Sequence, residues 1–233
     1  QEVRYTIVNE AGASVYSASA VARAEFPKFN VEERSAISIG RRLQDPLAEL
    51  VKIDPKSVGV GQYQHDVSES GLDEQLDRVV ETAVNQVGVD LNRASIELLA
   101  HISGLSKQTA KNIVAYREAN GSFSSRPELK KVPRLGPKAY EQSVGFLRII
   151  NGKNVLDNTD IHPESYPVAK QVLEKLGLNL KQVGTPAVTL ALEKVDIKNL
   201  SGQLNVGAAT LQDILSALQR PGRDRRDEMP API

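Results

Sequence analysis

The stretch "ISGLSKQTAKNIVAYREANGSF" (102–123) opens on a tight corner, with Gly104 set between apolar Ile102 and Leu105. A helical run through Ala110, Ile113, Val114 and Tyr116 follows at once. Thirty residues on, "VPRLGPKAYEQSVGFL" (132–147) restates the pattern: Leu99, Ile102, Leu105 and Val114 return as Leu129, Val132, Leu135 and Val144. Gly121, between "REAN" and "SF", supplies the helix stop between the two units. A duplicated unit of this kind buries its apolar positions in one shared core. The pattern predicts a tandem helix–hairpin–helix domain over 89–150, compact, with four or five helices and both hairpins on one side.

The rest of the chain reads outward from there. "EVRYTIVNEAGASVYSAS" (2–19) alternates apolar and polar residues about a Glu-Ala-Gly turn and predicts a strand pair or one extended strand. Asn30 with Glu33 has the form of a capping box, opening a helix to about Leu43, and Asp45-Pro46 restarts it. "DPKSVGVGQY" (54–63) reads as a turn and a Gly-rich extended piece. Its Gly59-x-Gly61 lacks the third glycine and helix start of a dinucleotide site. A helical stripe runs from Leu72 to Val87 with an acidic opposite face (Asp73, Glu74, Asp77, Glu81), and Asn92 suits an N-cap for the helix carrying Ile96, Leu99 and Ile102. Pro163 opens a helix that Gly177 closes, and "LNVGAATLQDILSAL" (204–218) predicts a third hairpin around Gly207. The Pro-rich, charged end has the composition of a linker.

Net charge is zero over 233 residues, but the charges are segregated. Residues 51–100 hold four Lys/Arg against nine Asp/Glu, and residues 101–150 hold nine against three. The positive excess thus falls on the hairpin repeat, as expected of a phosphate-binding surface. Absence of Cys removes a disulfide framework or Cys-based zinc site, and His65, His101 and His162 are too widely spaced for a local metal motif. No apolar run reaches the length of a membrane span. A chain that begins at Gln1 and holds only Met229 reads as a piece of something longer.

Hairpins of this kind bind phosphate for a physical reason. Small residues at the corner let the backbone approach a strand closely, and the first N–H groups of the following helix lack intrahelical partners at the positive end of its dipole. The candidate contacts are Gly104, Leu105, Ser106, Lys107, Thr109 and Lys111 at the first hairpin. At the second they are Lys130, Lys131, Arg134, Leu135, Gly136 and Lys138. Each corner keeps one glycine where the strong pattern has two. Ser106 is placed to cap its own helix in competition with a guest phosphate, and Pro137 removes an N–H, with the Arg134 charge as compensation.

The runs "GRRLQDPLAELVKIDPKSVGVGQYQHDV", "VNQVGVDLNRASIELLAHISGL", "YREANGSFSSRPELKKV", "VGFLRI" and "HPESY" resemble the Tex family of bacterial transcription accessory proteins, over residues 1 to about 226. The resemblance implies a mainly α chain with five parts. Residues 1–66 would be the C-terminal part of a YqgF/RNase H-like α/β domain, and 67–88 a connecting helix. Residues 89–150 would be the tandem hairpin domain, 151–222 a second hairpin-type domain, and 223–233 a linker toward an OB-fold RNA-binding domain. It further implies a cytoplasmic, monomeric factor that binds DNA or RNA irrespective of sequence, without cofactor or membrane, with RNA polymerase or other transcription proteins as possible partners. RNase H-like nucleases hold two metal ions on carboxylates, among them one on a first strand that this chain lacks. Glu10, Glu32, Glu33 and Asp45 are the acids nearest that pattern, but Glu33 and Asp45 are accounted for as caps, so no catalytic or metal-binding residue is expected. A base-excision glycosylase would need an aromatic pocket, which a chain without Trp and with four Phe does not supply. Tandem-hairpin binders of the DNA-uptake type would lack the "RRLQDPLAEL" region. A protein-docking module contacting the transcription machinery, its hairpins purely structural, remains the alternative reading.

Overall fold

The computed structural model describes residues 5–58 and 68–224; the Gly59-x-Gly61 stretch and the charged end beyond 224 lie outside them. The chain divides into two compact units, Gln1–Val84 and Asn85–Ile233. No helix among the described residues is long and apolar enough to cross a membrane.

The first unit is helical where strands were expected. α1 (Ala13–Ala18) stands in the stretch 2–19 where a strand pair was anticipated, and α2 (Ala20–Glu25) follows it. The alternation is real, but Ala13, Tyr16 and Ser17 also share one helical face, and that face is buried. Residues 5–10 have no regular structure, and Tyr5 and Ile7 are each 92% exposed; within the described chain nothing pairs with them as a strand. α3 (Val31–Gln44) begins at the expected capping box: the Asn30 side chain accepts from Glu33 N at 2.8 Å, and Asn30 N donates to Glu33 Oε2 at 2.9 Å. α4 (Pro46–Leu50) starts from Asp45, whose carboxylate accepts from Ala48 N at 3.1 Å. Both acids thus have capping roles. Arg42 secures the extended entry by donating to the carbonyls of Asn9 and Ala11 at 2.8 Å each.

α5 (Glu69–Val87) follows, as its apolar stripe requires. Then β1 (Val89–Asp90) leads into α6 (Ile96–Leu99), α7 (Lys107–Asn120), a 3-10 helix at Arg126–Lys131 and α8 (Pro137–Ser143), closed by β2 (Leu147–Arg148). β1 and β2 pair in parallel, Val89 with Leu147 and Asp90 with Arg148, so the two ends of the repeat are joined. The thirty-residue offset survives at element level: Ile96 and Arg126 open the first helices, Lys107 and Pro137 the second. Leu99 and Leu129, Ile102 and Val132, Leu105 and Leu135 are buried pair by pair. Val144 is buried too, but Val114 is only half-buried because Ile113 takes the interior position of α7. Asn92 does not cap a helix. Ser95 does, accepting from Leu98 N at 3.2 Å, while the Asn92 amide exchanges two hydrogen bonds with the backbone of Phe123, at 2.9 and 2.8 Å.

The chain ends in α9 (Tyr166–Lys175), α10 (Pro186–Leu192), α11 (Ile197–Leu204) and α12 (Ala208–Gln219), around a core that includes Leu156, Val172, Leu173, Val188, Leu211 and Leu218. Gly177 closes α9 in a Schellman turn: Leu178 N donates to Leu173 O and Gly177 N to Glu174 O. The third hairpin is present, with α12 beginning at Ala208, directly after Gly207.

Arg126 joins this segment to the repeat. It is fully buried and donates to Leu147 O at 2.9 Å, Ile161 O at 2.7 Å, the Tyr166 hydroxyl at 2.8 Å and Thr159 O. Its own backbone N–H donates to Asp157, which also accepts from the Tyr166 hydroxyl at 2.6 Å. Burial, with the Asp157 carboxylate beside it, raises the Tyr166 phenol well above its ordinary pKa.

Candidate nucleic-acid interface

The two corners share one backbone path. In the first, Leu105 N donates to Ile102 O at 3.0 Å across Gly104, whose φ is 85°. In the second, Leu135 N donates to Val132 O at 3.2 Å across Arg134, whose φ is 63°. Left-handed backbone suits Gly104; at Arg134 a long side chain occupies the same conformation. After each corner comes a buried leucine and then an extended N-cap, Ser106 or Gly136.

The corners also touch each other's helices. A β-carbon on Gly104 would lie 2.6 Å from Gln142 Cβ and 3.4 Å from Ala139 O, both in α8. Reciprocally, the Asn112 side chain of α7 donates to Pro133 O at 2.8 Å. Asn112 and Gln142 are themselves thirty residues apart, so the contact is an approximate two-fold exchange. It packs the first corner against α8 and ties α7 to the second corner.

Their helix entrances differ. Ser106 Oγ accepts from Thr109 N at 3.1 Å, and Thr109 Oγ1 accepts from Ser106 N at 2.7 Å, so a capping box closes the first entrance apart from the N–H groups of Lys107 and Gln108. Gly136 has no side chain to cap with; Pro137 contributes no N–H, leaving those of Lys138 and Ala139. Each entrance therefore keeps two donors. Lys107 and Lys138 were candidate contacts in the sequence; Gln108 and Ala139 were not, because they offer only backbone N–H groups, and the thirty-residue register was the available signal.

Lys107, Lys111, Lys130, Lys131, Arg134 and Lys138 are all exposed, as are Gly104, Ser106 and Gly136. Leu105, Leu135 and Thr109 are buried and hold the corners in place from beneath. Lys130 Nζ stands 4.8 Å from the centroid of the Tyr140 ring, whose phenol is shifted upward by burial. The Glu128 carboxyl is held below its usual range by the Ser124 hydroxyl, helped by the charges of Lys153 and Lys131. Not every cation of the repeat is at this surface. Arg126 is buried, and Arg117 is half-buried, donating to Leu91 O at 2.9 Å.

Fold and site together define a tandem helix–hairpin–helix protein. Family models agree: a helix-hairpin-helix motif matches residues 84–148, an HHH domain 154–226, and the Tex protein YqgF-like domain 1–44. The chain belongs to the Tex family. It is 55% identical, over 94% of its length, to the transcriptional accessory protein Tex of Neisseria gonorrhoeae, and 54% identical over 95% to protein YhgF of Escherichia coli. To the human S1 RNA-binding domain-containing protein 1 it is 42% identical over 94%. It spans 29%, 28% and 27% of those proteins, under a third of each.

Proposed function

We propose that this chain binds nucleic acid through the phosphates of the strand, without reading base sequence, as part of a cytoplasmic transcription accessory factor. The observation that carries the reading is the clustering of six exposed cations around two adjacent hairpins. Phosphate contacts position a protein on a strand but carry no sequence information. Its role is binding rather than catalysis, and RNA polymerase or another transcription protein is the proposed protein partner.

Two hairpins with their lysines would engage roughly three to five phosphates, and each releases condensed counterion, so log affinity against log salt should slope about −2 to −4. Fluorescence anisotropy on labelled mixed-sequence DNA and RNA, single- and double-stranded, over a salt series measures this. Lys107→Glu combined with Lys138→Glu should weaken binding to all sequences alike and flatten the slope. Reversing Glu32 and Glu33 should do much less. Should the double variant bind every nucleic acid as tightly as the parent, the hairpins are not the grip, and a protein-docking module with structural hairpins becomes the better reading.

A further inference from the structure

We infer that the two hairpins divide the work: the second, through Arg134 backed by Lys130, Lys131 and Lys138, makes the phosphate contact, and the first holds the pair together. This rests on the nucleic-acid reading above and narrows it.

Three described residues other than glycine have positive φ: Asn151, Asn205 and Arg134. Asparagine tolerates that region because its short polar side chain hydrogen-bonds the local backbone; arginine lacks that compensation for the crowding of its β-carbon against the following carbonyl. The equivalent position of the first hairpin carries glycine, which avoids the strain. Arg134 is exposed and its side chain has no hydrogen bond or ion pair among the described residues, so its charge is left open to a partner. An exposed cation kept at a strained corner, in a cluster of like charge, is explained by a ligand of opposite charge.

The first corner is built differently. Gln142 and Ala139 fill the space in front of Gly104, so no side chain fits there, and the hydroxyls of Ser106 and Thr109 are spent on each other's backbone. Its cations, Lys107 and Lys111, lie on α7 rather than at the corner. The second unit of the repeat holds two acids: Glu128 is engaged by Ser124, and Glu141 is exposed on α8.

The test is Arg134→Gly in the whole chain, probed with a labelled mixed-sequence DNA duplex beside Arg134→Lys and Lys107→Ala/Lys111→Ala. Arg134→Gly should raise Tm by about 2 °C through relief of strain, partly offset by the freer unfolded chain. It should also weaken binding about tenfold and lower the salt slope by about 0.9. Arg134→Lys should keep the parent slope, and Lys107→Ala/Lys111→Ala should lose less affinity than Arg134→Gly. If Arg134→Gly binds like the parent while Lys107→Glu/Lys138→Glu weakens binding, phosphate recognition stands and the division of labour falls. If neither weakens binding, the nucleic-acid reading itself falls. A lower Tm for Arg134→Gly would show the corner is held by packing and overturn the functional account of its conformation.

Discussion

Gly104 has no room for even one more carbon. A methyl group there meets Gln142 Cβ at 2.6 Å while the backbone sits at φ 85°. Gly104→Ala should therefore cost about 2–4 kcal/mol, overpacking adding to left-handed strain, read as a drop in the thermal midpoint. Gly40 is the opposite case: it lies inside α3 with nothing near its absent side chain. Gly40→Ala should stabilise by about 0.5–1 kcal/mol. The sequence marked Gly104 as a corner residue from its neighbours. It did not reveal Gln142 opposite, because that contact crosses from one repeat to the other.

At the scale of elements, the helices of the first unit meet at a polar cluster. The Tyr16 hydroxyl of α1 donates to Glu25 Oε2 of α2 at 2.5 Å, Arg41 of α3 reaches the same oxygen at 3.0 Å, and Lys52 bridges Glu25 at 2.9 Å and Glu49 of α4 at 3.0 Å. Burial alone would raise the Glu25 carboxyl, but hydrogen bonds from Tyr16 and Lys52 and the charges of Lys52 and Arg41 outweigh it and lower the pKa. A carboxyl lowered in the folded state stabilises fully above its unfolded pKa, about 4.3, and that stabilisation is lost as pH falls through the lower folded value. Unfolding midpoints should thus fall with pH below about 4.3, and Glu25→Gln should flatten that dependence. Far-ultraviolet circular dichroism on both proteins checks it; equal slopes would remove Glu25 from the account. The caps of α3 and α4 were legible because N-cap chemistry spans four residues. α1 was not, because six residues that satisfy both periodicities are decided by what they pack against.

For the second unit as a whole, Arg126 is the point where repeat and C-terminal helices become one body. Arg126→Met keeps the bulk but strips a donor from the buried carbonyls of Leu147, Thr159 and Ile161 and from the Tyr166 hydroxyl. The expected loss is about 3–5 kcal/mol. Urea unfolding followed by Tyr fluorescence measures it, and a change within error would mean the helices hold together without this arginine. The same residue marks the limit of reading charge from sequence, since it counts toward the basic excess of residues 101–150 yet never meets solvent. Sequence by itself determined the duplicated hairpins, their buried leucines, the caps at Asn30, Asp45 and Ser106 and the stretch where positive charge gathers, because periodicity, capping and charge are local properties carried within a turn or two of helix. Only the tertiary structure decided which cations face water, and that Arg134 rather than a glycine bears the left-handed corner. Burial, hydrogen-bond partners and backbone strain depend on residues brought together across thirty positions or more, and no local pattern records them.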